Sequence, residues 1–152
     1  LVNLILGEAS ERVRAAAEQR GVEVALVEPS PPVAILGDRR QLTSAVYNLL
    51  ENAVKFSPDA GVVHLKGGVD NGEVVITVKD SGIGIPTREL ERIFERFYRV
   101  DHGRSRSTGG TGLGLAIVRH VAQNHRGSVQ VESREGEGAT FTLHLPLQAR
   151  SE

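Results

Sequence analysis

The chain has 152 residues, 39% of them hydrophobic and 24% charged, the composition of one soluble globular domain long enough to bury its own core. The absence of cysteine excludes disulfides and thiolate metal sites and is compatible with a reducing cytoplasm. A formal net charge of −1 gives no global attraction to nucleic acid or to a membrane surface, and no apolar run approaches the roughly 18 residues that span a bilayer.

Along the chain, Leu4, Ile5, Ala9, Val13, Ala16 and Ala17 recur at helical spacing over residues 2–20, and Gly21 ends the run. Val22–Val27 alternates as a strand, Glu28–Pro32 is a proline-rich turn, and Val33–Leu36 reads as a second short strand. Asp38 is the expected N-cap of a long helix reaching about Phe56, stopped by Ser57-Pro58-Asp59. Val62–Val69 and Val74–Lys79 are strands joined by Asp70-Asn71-Gly72, a hairpin signal. Pro86 opens a short helix through Glu91, and the aromatic-dense stretch Ile93–Val100 follows. Residues 101–112, rich in Gly, Ser, Arg and Thr, form a loop. Leu113–Asn124 is a helix, and Ser128–Ser133 with Ala139–Leu145 make a terminal hairpin across Glu135-Gly136-Glu137-Gly138. No repeat or domain boundary interrupts residues 1–152. The mixed order of elements predicts an α/β (α+β) two-layer sandwich, helices on one face of a mixed sheet. Because the chain opens at Leu1 and holds no methionine, it reads as a fragment of a longer protein, without a signal peptide.

Four constellations carry chemistry. On the long helix, Leu42, Ala45, Val46, Leu49, Leu50 and Ala53 form the stripe expected to be buried. Asn48, Asn52 and Lys55 fall within about 60° of one another on a different face. Two amides and a lysine so placed suit a hydrated divalent cation and phosphate oxygens; a solvated helix face has the same spacing. Asparagine is nevertheless a poor helix former, and two mid-helix copies need a reason. The second constellation is Asp80-Ser81-Gly82-Ile83-Gly84-Ile85, directly after a strand. Its glycines let backbone approach a flat ligand and its carboxylate can accept from an exocyclic amine, although an ordinary strand-exit turn reads alike.

The third constellation is Gly109-Gly110-Thr111-Gly112-Leu113-Gly114-Leu115, a loop running into a helix. Backbone N–H groups at a helix N-terminus make an anion site, and four glycines in six residues exceed what a turn requires. The spacing matches neither the dinucleotide fingerprint nor the P-loop. The fourth, Gly136-Glu137-Gly138-Ala139-Thr140-Phe141, is by itself simply a hairpin.

Taken jointly and in order, N-L-L-E-N-A-V-K-F-S, D-S-G-I-G-I, I-F-E-R-F-Y-R, G-T-G-L-G-L-A-I-V and G-E-G-A-T-F resemble the N, G1, F, G2 and G3 boxes of sensor histidine kinase catalytic domains. The resemblance extends from the first helix to Pro146. It implies the GHKL, or Bergerat, fold: a mixed five-stranded sheet with three main helices on one face, binding ATP beneath a lid.

By that resemblance Asn52 would bind Mg2+ with Asn48 assisting, Lys55 would touch phosphate, and Phe56 would lie against the adenine ring. Asp80 would accept from the adenine amine, with Gly82, Gly84 and Ile85 opening and lining the pocket. Thr140 would line the base through a water. Gly110, Gly112 and Gly114 would deliver the lid and backbone donors to the phosphates, with Thr111, Leu113 and Leu115 also at the nucleotide; the lid would be residues 101–111, to which Arg104 and Arg106 belong as phosphate contacts or as solvated charges. Arg99, after Phe94, Phe97 and Tyr98, resembles the arginine that reaches the γ-phosphate, a role suited to a reaction governed by positioning and charge neutralisation. The aromatics read as packing under the lid.

ATP-hydrolysing relatives such as the Hsp90, gyrase and MutL types, and the anti-sigma serine kinases, carry glutamate where this chain has Asn48. An amide cannot take a proton as a general base, so hydrolysis is expected to be slow and the acceptor to bring its own nucleophile, as a histidine does. None of the five histidines, His64, His102, His120, His125 and His144, stands in the family's acceptor context, and all read as structural. The acceptor is therefore expected on an absent dimerisation and phosphotransfer helical domain, with a response-regulator receiver domain next in line. The resemblance further implies a domain that is monomeric alone, on the cytoplasmic side, from a membrane-anchored protein, without direct membrane or nucleic-acid contact. A free-standing anti-sigma-type serine kinase and a degenerate nucleotide-binding module are the alternative readings.

Overall fold

The computed structural model describes residues 1–58, 60–82, 93, 114–134 and 136–147. Its helices are α1 (Val2–Gln19), α2 (Arg39–Phe56) and α3 (Gly114–Asn124). Its strands are β1 (Glu23–Val27), β2 (Val62–Asp70), β3 (Glu73–Lys79), β4 (Ser128–Arg134) and β5 (Gly138–Pro146). The sheet order is β1-β2-β3-β5-β4; β1 runs parallel to β2, and every other pair is antiparallel. This is the expected two-layer sandwich.

Period-two alternation decides which strand residues meet the helices. Val63 and Leu65 of β2, Val74, Ile76 and Val78 of β3, and Ala139, Phe141, Leu143 and Leu145 of β5 are buried. They form one core with the α2 stripe, where Leu42, Ala45, Val46, Leu49, Leu50 and Ala53 are all buried as expected. On α1 the buried set is Val2, Ile5, Leu6, Ala9, Val13 and Ala17, which corrects the periodicity: Leu4 is 50% exposed and Ala16 also faces out. Both lie about 100° round the helix from a buried neighbour.

Helix ends follow local chemistry. Asp38 caps α2, its Oδ1 accepting from Gln41 N at 3.1 Å. Gly21, at φ +69°, ends α1 with paired bonds from Gly21 N to Glu18 O (3.1 Å) and from Val22 N to Ala17 O (2.9 Å), which satisfy two helix-end carbonyls. Asn71 and Gly72, at φ 51° and 75°, make a two-residue turn between β2 and β3 of the kind asparagine-glycine favours.

The short strand expected at Val33–Leu36 is absent; these residues are irregular. Val33 uses its carbonyl to accept from Val2 N (2.8 Å) and its N–H to donate to Asn3 Oδ1 (3.3 Å). Its backbone groups are thus satisfied by the start of α1 and not by a ladder, while Val33 and Ile35 pack on the core. The helix expected at 86–91, the aromatics Phe94, Phe97 and Tyr98, and the loop 101–112 lie outside the described residues. Ile93 is described and buried.

Candidate functional site

Asp80 follows directly on β3, continuing the alternation that buries Val74, Ile76 and Val78, and is only 4% exposed. Its Oδ1 accepts from Gly82 N at 2.8 Å and from Ala139 N at 3.3 Å. Among the described residues no partner is seen for Oδ2. Burial raises the Asp80 pKa, opposed by the two backbone hydrogen bonds. A buried carboxylate with one oxygen tied to backbone and the other unclaimed is a preorganised acceptor for a ligand donor.

Close backbone packing surrounds this carboxylate. A Cβ on Gly82 would overlap the Phe56 carbonyl, so only glycine lets the strand exit lie on the end of α2. Gly138, at φ +87°, would likewise drive a side chain into the Asp80 carbonyl. The segments D-S-G and G-E-G-A, far apart in sequence, are therefore one contact, closed by Asp80 N donating to Ala139 O at 2.9 Å.

The N-terminus of α3 meets the middle of α2. The Asn48 side-chain oxygen stands 3.1 Å from where a Gly114 Cβ would be, while its amide nitrogen donates to Ser44 O at 2.8 Å. The nitrogen so held leaves the oxygen directed at the start of α3. Asn48, Asn52, Lys55 and Phe56 are half-buried.

Of the remaining expected residues, Leu115 packs on the core. Thr140 pairs with Lys79 and Glu132 on the face away from the helices, whereas Ala139 shares the helix-covered face with Asp80. The structure thus does not bring the Thr140 side chain to Asp80; a one-residue offset in a strand reverses the face. Gly84, Ile85, Arg99, Arg104, Arg106, Gly110, Thr111, Gly112 and Leu113 lie outside the described residues. Of the histidines, His64 and His120 are exposed, and His144 lies 3.3 Å from Glu73. His125 Nδ1 bonds Val121 O at 2.8 Å and its Nε2 accepts from Asp38 N at 2.9 Å, which bears out its structural reading. His102 is not among the described residues.

Residues 37–149 match the family model described as "Histidine kinase-, DNA gyrase B-, and HSP90-like ATPase". The chain is 33% identical to the mycobacterial sensor histidine kinase MprB, with a TM-score of 0.84 and 95% of both chains covered. The chain belongs to this family. It is also 46% identical over 145 residues to the sensor-like histidine kinase SenX3 of Mycolicibacterium smegmatis, covering 95% of this chain and 38% of SenX3. Against the phosphate regulon sensor PhoR of Pseudomonas aeruginosa the identity is 41%, covering 95% of this chain and 32% of PhoR. Full-length ShkA in complex with AMPPNP superposes with a TM-score of 0.84 at 33% identity, over 100% of this chain and 31% of ShkA. The chain thus spans about a third of the length of these curated relatives. The fold is that of histidine kinase catalytic domains, and nucleotide use comes with the family. Among the described residues no helix is long and apolar enough to cross a membrane.

Proposed function

We propose that this chain is the ATP-binding catalytic domain of a two-component sensor histidine kinase. The observation that carries the reading is Asp80, buried, anchored through Oδ1 and flanked by glycines that hug the backbone. The adenine amine donates to its free oxygen, and Phe56 lies against the ring. Asn52 and Asn48 would hold Mg2+, a fit supported by the Asn48 oxygen, which faces the start of α3 while its nitrogen bonds Ser44 O. Lys55 contacts phosphate, and Gly110, Gly112 and Gly114 bring backbone donors to it. Arg99 neutralises charge on the γ-phosphoryl group as a histidine imidazole nitrogen attacks phosphorus and ADP leaves. That histidine belongs to a helical dimerisation domain, and a receiver aspartate takes the phosphoryl group next. With the dimer contacts on that domain, this chain alone is a monomer of residues 1–152, working on the cytoplasmic side of a membrane-anchored protein. ShkA in complex with AMPPNP supports nucleotide as the ligand class. Asn48, unable to deprotonate water, favours phosphoryl transfer to a protein over hydrolysis.

Calorimetric titration of ATP, with and without magnesium, tests the assignment. One-to-one exothermic binding is expected, stronger with magnesium and severely weakened in Asp80→Asn, which replaces an acceptor oxygen by a donor. A folded wild-type domain that takes up no ATP would sink it.

A further inference from the structure

We infer that Arg20, at the end of α1, is a positioning residue for the nucleotide site, an inference that rests on the ATP-binding reading above. Its guanidinium donates from Nε to Val54 O at 3.1 Å and from Nη2 to Lys55 O at 2.8 Å. Those carbonyls belong to the last turn of α2, which has no helical partners for its C=O groups. Ser57 supplies the neighbouring bonds, from Oγ to Ala53 O (2.8 Å) and from N to Val54 O (3.3 Å). The Phe56 carbonyl lies against Gly82. Arg20 and Ser57 therefore satisfy the carbonyls of residues 53–55, and a cation there also suits the negative end of the helix dipole.

The turn so held carries Lys55 and Phe56, and the Gly82 it presses on donates to Asp80. Contact runs without a gap from Arg20 through the α2 end and Gly82 to the carboxylate. The guanidinium itself starts from a fixed point. Arg20 caps α1, Gly21 closes the helix, and Gly21 O accepts from Ala60 N at 2.9 Å, which binds the segment after α2 to the same place. A rigid fork spanning two adjacent carbonyls cannot be reproduced by the single ammonium of lysine.

ATP affinity measured by calorimetry with magnesium, on Arg20→Ala, Arg20→Lys and Asn3→Ala, decides the matter. Asn3 clasps the opposite end of α1, donating to Glu28 Oε1 (3.1 Å) and Pro29 O (3.2 Å), so Asn3→Ala loosens the fold away from the site. At a temperature where all variants are folded, Arg20→Ala should bind about threefold or more weakly. Arg20→Lys should be intermediate and Asn3→Ala unchanged, with the Gly82 amide resonance displaced only in the Arg20 variants. Wild-type affinity in folded Arg20→Ala, or an equal loss in Asn3→Ala, overturns the inference. If Arg20→Ala does not fold, wild-type affinity in Arg20→Lys overturns it. Absence of ATP binding by the wild type overturns the functional reading and this inference together, whereas ATP binding by the wild type with no loss in either Arg20 variant overturns this inference alone.

Discussion

Asp80 is where stability and binding pull apart at the scale of single residues. Its carboxylate is 4% exposed and burial raises its pKa despite two backbone donors. An acid whose folded pKa lies above its unfolded value of about 3.9 binds protons better when folded. Its ionised form therefore costs stability above the folded pKa, and that cost disappears as pH falls through the folded value toward the unfolded one. Asparagine at this position keeps an oxygen for Gly82 N and Ala139 N without the charge. We expect Asp80→Asn to melt at or above the wild-type temperature at neutral pH, although it loses ATP. The gap should close on acidification and stay level below about pH 3.9, as thermal unfolding across that range will report. A wild type that stays more stable than the variant at neutral pH would show that its backbone hydrogen bonds outweigh its burial. Asp80 was legible as a carboxylate between a strand and two glycines. Arg20 was not, because its partners lie 34 and 35 residues away and no local pattern marks it.

Among the elements, α2 does the most work: one stripe builds the core, another face carries Asn48, Asn52 and Lys55 of the proposed site, and its two ends are held by residues at the ends of α1 and α3. At the N-terminal end His125 joins the α2 cap to the last turn of α3 through Val121 O and Asp38 N. Gly37 is needed beside it, since a Cβ there would come within 2.6 Å of the ring. Replacing His125 by alanine removes the partner of the Asp38 N–H, and about 0.5–1.5 kcal/mol of stability should be lost. Urea denaturation measures this as a lower midpoint with unchanged slope. The extents of α1, α2 and the two hairpins could be read from periodicity, caps and turns. Val33–Leu36 could not: its apolar residues do pack on the core, but the partners of its backbone were decided by Val2 and Asn3. Which strand face Thr140 takes was equally out of reach, since a turn motif does not say which face each following residue takes.

For the molecule as a whole, the proposed site links nucleotide to fold thermodynamically, because α2, the β3 exit and the β5 start come together only in the native state. Saturating Mg·ATP at 100 times its dissociation constant should add about 2.7 kcal/mol. For a domain of this size that is a rise in melting temperature of about 5–10 °C. Differential scanning fluorimetry should show it for the wild type and not for Asp80→Asn; no rise at saturation would mean that ligand does not distinguish the native state. The sequence by itself determined the layer architecture, the hydrophobic faces, the helix caps and the order of the nucleotide motifs, because each depends on residues within a few positions of one another. Only the tertiary structure decided that D-S-G and G-E-G-A form one contact, that Ala139 and not Thr140 stands beside Asp80, and that Arg20 and His125 hold the ends of α2. Those facts depend on sheet register and on hydrogen bonds between distant segments, which local propensity does not encode.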